Sequence, residues 1–179
     1  MDFELPAMLD TLITSRTRIK LLLKFFLNPD NAAYLRGLEA EFNESTNGIR
    51  MELNRLQEAN MITSRQDGRK KIFQVNREHP LYSEINSMVR KFTGLDYIVE
   101  HITKKLGNLQ AVYLAGDMVN GMDTNVIDLV LIGEVDEGYL INLVKKSKSI
   151  INRDIRYLVN NNYEALNSTV PLMLLWKKD

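Results

Sequence analysis

At Gln110 the spacing of apolar residues changes from steps of three and four to continuous runs, and this one change divides the chain into parts of different architecture. Before it, the spacing is helical. Leu9, Leu12, Ile13, Ile19, Leu22, Leu23 and Phe26 predict one buried helix face from Met8 onward, stopped by Asn28-Pro29-Asp30-Asn31. A second helix is expected over Tyr34 to Phe42 with Leu35, Leu38 and Phe42 inward, and a third over Thr46 to Ala59 with Ile49, Leu53 and Leu56 inward. Ser45 is the candidate N-cap of the third helix, and Asn60 its left-handed C-terminal cap. Two strand-like runs, Met61 to Ser64 and Lys71 to Asn76, flank Arg65-Gln66-Asp67-Gly68-Arg69-Lys70, whose Asp-Gly predicts a hairpin. Three helices followed by a basic hairpin describe a winged helix.

From Leu81 the apolar residues Ile85, Met88, Phe92, Leu95, Val99, Ile102 and Leu106 keep a four-three spacing, so a single long helix is expected, weakened only modestly by Gly94. Such a seam either pairs with its twin in a two-fold dimer, the expectation here, or packs inside its own chain. Beyond Gln110, strands are expected at Ala111 to Ala115 and Val126 to Ile132, ending in Gly116 and Gly133. A helix from Glu137 to Ile150, a strand from Asp154 to Val159, an Asn-rich turn and a strand within Val170 to Trp176 complete a small α/β part. The fold class is therefore α+β, with a winged-helix domain over 1–79, a connecting or dimerising helix over 80–106 and an α/β domain over 107–179.

With 179 residues, 45% hydrophobic and 26% charged, the composition is that of a globular protein. The absence of Cys excludes disulfides, thiolate metal sites and Cys nucleophiles, and His79 and His101 are the only imidazoles, so no metal site is expected. No Gly-rich Walker loop or Gly-x-Ser-x-Gly turn is present, and no cofactor is expected. Asp2, Glu4 and Asp10 stand where a signal peptide would be basic, and no run of about 18 apolar residues occurs, so the chain is expected to be cytoplasmic with no membrane partner.

Lys plus Arg and Asp plus Glu both number 23, so any field that attracts nucleic acid must be local. Between Met61 and Arg77 five cations face one acid, a net of +4, which fits a hairpin neutralising phosphates. A recognition helix needs small polar and amide side chains at its start, and Ser45, Thr46, Asn47, Arg50 and Asn54 supply them. Arg65, Arg69, Lys70 and Lys71 are the wing candidates for double-stranded DNA, and Arg16 and Arg18 are further backbone candidates. The plainer alternative is a solvated hairpin tip.

Tyr34-Leu35-Arg36-Gly37-Leu38, Asn54-Arg55-Leu56-Gln57-Glu58-Ala59-Asn60-Met61-Ile62 and the Gly68-Arg69-Lys70 wing resemble ArsR-type winged-helix regulators over about residues 8 to 77. The continuation through Asn76-Arg77-Glu78-His79-Pro80-Leu81-Tyr82, the long helix and the α/β part resembles winged-helix proteins fused to a minimal nucleotidyltransferase-like domain. That resemblance implies a Gly-Ser turn after one strand and an Asp-x-Asp pair on the next, which hold metal and triphosphate. Here the turn is Gly116-Asp117 and the pair reads Val126-Ile127-Asp128, so one carboxylate survives and the motif is degenerate. Asn120 replaces a basic residue, Arg156 stands near the place of a third acid, and Asp154 is a partial substitute. A rearranged site of Asp117, Asp123 and Asp128 is the competing arrangement, and both histidines are read as structural.

Three functions follow. The leading expectation is a DNA-binding transcriptional regulator with a catalytically inactive C-terminal domain that senses a small ligand, binds a protein partner or acts as a spacer. The second is a magnesium-dependent nucleotidyltransferase acting on a protein or small molecule, guided by the winged helix. The third is a winged helix that binds protein, in keeping with the 11 basic and 10 acidic residues among the first 76.

Overall fold

The computed structural model describes residues 11–105, 108–163 and 170–178. The expected helix start at Met8 and Leu9, the last seam position Leu106 and part of the Asn-rich turn lie outside them. The chain divides into two compact units between Val89 and Arg90. Both helices and sheets are present, the mixed α+β composition expected from the sequence.

The first unit runs α1 (Arg16–Leu22) with a π-helical extension (Leu23–Leu27), β1 (Ala32–Tyr34), α2 (Leu35–Phe42), α3 (Thr46–Glu58), β2 (Ile62–Asp67) and β3 (Lys70–Val75). This is the element order of a winged helix-turn-helix, with strands arranged β1-β3-β2, all antiparallel. Leu21, Leu23, Phe25, Phe26, Leu38, Ile49 and Leu53 form its sealed core, each at most 1% exposed. The first helix does not run unbroken from Met8. Ser15 adopts an extended backbone and its hydroxyl accepts the Arg18 N–H at 3.2 Å, starting α1 afresh. The wider π turns leave carbonyls free, and Asn86 donates to that of Phe26 at 2.5 Å.

The hairpin is tighter than expected. Asp67 pairs with Lys70 across a Gly68-Arg69 loop, so Arg65 and Gln66 belong to β2 and Lys70 to β3. Ser45 and Asn60 take the cap roles expected of them, the hydroxyl of Ser45 accepting the Gly48 N–H at 3.3 Å and Asn60 lying at φ +57°.

Across the division runs α4 (Tyr82–Thr93), followed by α5 (Leu95–Lys105). The single helix expected over 80–106 is therefore two. Gly94 takes φ +81°, a left-handed conformation that ends α4, and a Cβ there would lie 2.6 Å from Cγ2 of Ile151. Of the seam residues, Ile85 and Phe92 on α4 and Leu95 and Ile102 on α5 are buried, Met88 and Val99 are half-buried and Leu81 is 51% exposed, while Val89 and Ile98, beside the seam, are buried as well. The turn at Gly94 breaks the straight helix on which the coiled-coil seam expected between copies depends.

The second unit continues with β4 (Asn108–Ala115), a 3-10 turn (Gly116–Asn120), β5 (Val126–Glu134), α6 (Glu137–Ile151), β6 (Asp154–Asn160) and β7 (Leu172–Lys177). The sheet order is β6-β5-β4-β7. Only β5 and β6 are parallel, as their link through α6 requires. Asp136 caps α6 by accepting the Tyr139 N–H at 2.9 Å, and Gly133 lies inside β5 rather than ending it. Val112, Leu114, Ile127, Leu129 and Leu131 are buried on the sheet, and Leu140, Leu143 and Ile151 on α6. No helix among the described residues is long and apolar enough to cross a membrane.

Gly94→Ala meets a forbidden backbone and an occupied space together, so it should destabilise the chain by about 2–4 kcal/mol. Urea unfolding is the check, and an unchanged midpoint would contradict the tight approach of residue 94 to Ile151.

Candidate nucleic-acid interface

Helix α3 is amphipathic in a way that sets up a surface. It buries Ile49, Glu52, Leu53 and Leu56 and exposes Asn47, Arg50, Met51 and Asn54. The buried carboxylate of Glu52 fixes its position. Arg18 Nε donates to Glu52 Oε2 at 2.8 Å, Arg55 donates to Oε1 at 3.0 Å, and the Ser15 hydroxyl donates to Oε1 at 3.1 Å. Burial works to raise this carboxyl, but the bonds from Arg18 and Ser15 and the charges of Arg18 and Arg55 outweigh it, holding it below its usual value. Glu44 behaves alike, with burial outweighed by Lys20 at 2.6 Å and by the Thr17 hydroxyl. Lys24 donates to both oxygens of Glu41, at 2.9 and 2.7 Å.

The wing is tied to α3 by a short polar chain. Lys71 Nζ donates to Gln57 Oε1 at 2.8 Å, and Gln57 Nε2 donates to the Ser64 hydroxyl at 3.1 Å. Lys71 also lies over the Phe73 ring at 4.9 Å, and Lys70 over the Tyr34 ring at 4.6 Å.

Between them opens a groove of about 890 Å³ lined by Tyr34, Leu35 and Arg36, by Arg50, Leu53 and Asn54 of α3, and by Arg69, Lys70, Lys71 and Phe73 of the wing. Five of these side chains are cationic and none is acidic. Arg36, Arg50 and Arg69 have no ion-pair partner among the described residues.

Of the candidates read from the sequence, Arg50, Asn54, Arg69, Lys70 and Lys71 meet in this groove. Ser45, Thr46 and Asn47 lie at the start of α3 outside its lining, and the Ser45 hydroxyl is engaged as the cap. Arg65 is exposed on β2, cross-strand from Ile72, and does not line the groove. Arg18 has its charge committed to Glu52, whereas Arg16 is exposed. Sequence reasoning did not select Tyr34 and Arg36 for the site: β1, which carries Tyr34 beside Ile72 of the wing, has only three residues, and Arg36 stands in the first turn of α2, whose place beside the groove its spacing does not reveal.

Of the residues read from the sequence as a degenerate nucleotidyltransferase-like motif, Gly116 and Asp117 lie on the 3-10 turn after β4, and Val126 and Asp128 on β5. Gly116 lies at φ +73° and lets the Asp128 carboxylate approach, whose Oδ2 is 3.2 Å from where a Cβ would stand. Arg156, opposite on β6, donates to both oxygens of Asp128 at 2.6 and 2.9 Å, and this bonding followed by the charge of Asp128 raises the guanidinium pKa. Val126 stands opposite Asp154, whose carboxylate meets Lys148 at 2.5 Å. Asp117 is exposed on the 3-10 turn, and Asp123 accepts from Arg153 at 2.8 Å. The acids at 117, 123 and 128 thus do not converge, and no group of three or more metal-ligating side chains forms among the described residues. His79 Nδ1 accepts the Leu81 N–H at 3.1 Å, and His101 Nδ1 is 2.8 Å from the Tyr97 carbonyl, both local structural contacts.

No family model matches this sequence, and no curated protein matches it. Among solved structures, reduced HlyU from Vibrio cholerae N16961 is similar at 16% identity and a TM-score of 0.38, over 50% of this chain and 85% of that one.

Glu52→Gln keeps the shape but removes the charge, and should cost about 1–3 kcal/mol at neutral pH. Because the folded Glu52 carboxyl titrates below its ordinary value of 4.5, its contribution is present above that pH and is lost as pH falls through the lowered folded value. Denaturant unfolding from pH 7 to 3 should show a smaller pH dependence in the variant; parallel curves would contradict this role.

Proposed function

We propose that this chain is a transcription regulator that binds double-stranded DNA through its winged helix-turn-helix unit, with a non-catalytic, nucleotidyltransferase-like C-terminal unit that senses a ligand, binds a partner or acts as a spacer. The observation that carries this reading is the groove in which Arg36, Arg50, Arg69, Lys70 and Lys71 converge with no acid in the lining. Like charges gathered on one concavity repel one another, a cost that a bound polyanion removes. Amide and guanidinium groups on α3 suit base edges, and the wing cations suit phosphates on either side.

Loss of catalysis in the second unit is supported by three features. Val126 offers no ligand, Arg156 occupies both oxygens of Asp128, and Asp117 places negative charge where a triphosphate would be received.

Fluorescence anisotropy with genomic-fragment and random duplexes, at low and physiological salt and with or without magnesium and nucleotide, tests both parts. Binding should fall steeply with salt and ignore magnesium-nucleotide. Arg69→Ala combined with Lys70→Ala should weaken binding to all sequences alike and reduce the salt slope by about two. Unchanged affinity in that variant would remove the wing as the phosphate contact. No duplex binding would select a protein-binding winged helix, and a magnesium-nucleotide effect would favour the transferase.

A further inference from the structure

The exposed face of α3 carries a side chain that phosphate binding does not use. Met51 is 49% exposed, although the same helix has an apolar face for Ile49, Leu53 and Leu56. At 3.6 residues per turn, Arg50, Asn54, Asn47 and Met51 follow one another within an arc of about 100°, opposite the buried stripe. Asn47 Nδ2 donates to the Met51 sulfur at 4.0 Å, so the two side chains are in contact. Further round, Arg55 is committed to Glu52 at 3.0 Å, and the exposed Glu58 closes the C-terminal end of this face with a charge that phosphates repel. From Asn47 to Asn54 the helix rises about 10 Å, the length of roughly three base-pair steps.

A large apolar side chain at the edge of an otherwise polar face gains nothing from phosphates or water. In the major groove the apolar group that distinguishes one base pair from another is the thymine 5-methyl group. The arginine fork matches guanine O6 and N7, and the asparagine amide matches adenine N6 and N7. We propose that α3 reads a core of about three base pairs in which Met51 packs on a thymine methyl group, Arg50 specifies a guanine and Asn54 an adenine. This rests on the DNA reading of the groove, and it assigns sequence discrimination to a face that the wing, bound to phosphates, does not supply.

The test begins with enrichment of duplexes from a random pool by the full chain. Each thymine of the enriched duplex is then replaced singly by deoxyuridine, which removes only the methyl group. Guanine, thymine and adenine should be enriched within one short core, and one replacement should weaken binding about fourfold. Met51→Ala should lose a similar factor on the thymine duplex and bind the thymine and deoxyuridine duplexes equally. A core without thymine, or a deoxyuridine effect that persists in Met51→Ala, overturns the inference. Equal binding to every duplex overturns it while leaving the DNA reading standing, whereas binding to no duplex overturns both.

Discussion

The carboxylate of Glu52 is the interaction on which the first unit is arranged. It is a charge on the inward side of α3, and an unpaired charge there would be prohibitive. Arg18, Arg55 and the Ser15 hydroxyl all turn to it, so the start of α1 and the middle of α3 are fixed to one point. Glu41 and Glu44 do the same for Lys24 and Lys20. These acids are committed to Arg18, Arg55, Lys20 and Lys24, and none of them pairs with Arg36, Arg50 or Arg69 of the groove. A sequence with 23 positive and 23 negative residues can therefore present one strongly basic surface. Net charge hides this because pairing, rather than counting, decides which charges reach solvent.

Much of this was legible in the sequence where one period ran long enough to be measured. Helices α2, α3 and α6 and strands β4, β5 and β6 lie close to where spacing puts them, because each buries one repeating face. The misses have local causes. Strand β1 is three residues long, too short for alternation to register, and with it Tyr34 escaped notice as part of the groove, while Arg36 opens a helix whose spacing does not show what its first turn faces. Ser15 reads as one polar residue in a helical run until its cap bond to Arg18 is seen. The seam from Leu81 kept its spacing through Gly94, since spacing carries no information on the sign of φ. Contact with Ile151, far along the chain, is what makes glycine necessary there.

The candidate site was legible as residue types and less so as positions. Arg50, Asn54, Arg69, Lys70 and Lys71 come together as the charge pattern implies, but Arg65 does not. The difference is register. With the loop at Gly68-Arg69, Arg65 stands on β2, the strand further from β1, opposite Ile72 of β3, a pairing that depends on which two residues turn the hairpin. Lys71 shows a second limit of counting charge, because part of its donor capacity is spent on Gln57 to hold the wing against α3.

In the second unit the same logic of pairing replaces ligand geometry. A carboxylate on the central strand β5 keeps its charge at low cost if the neighbouring strand brings a cation. Arg156 on β6 does this for Asp128 with a two-bond fork, and Gly116 leaves room for the carboxylate beside the turn. Lys148 meets Asp154 and Arg153 meets Asp123, so each of these acids around the turn and strand ends is answered by a protein cation. A metal would have to displace an arginine held by two hydrogen bonds and would then find Val126 where a second oxygen is needed. The charge of Asp128 is thus met by a counter-ion tethered to the neighbouring strand, which ties β5 to β6 through side chains as well as through their ladder.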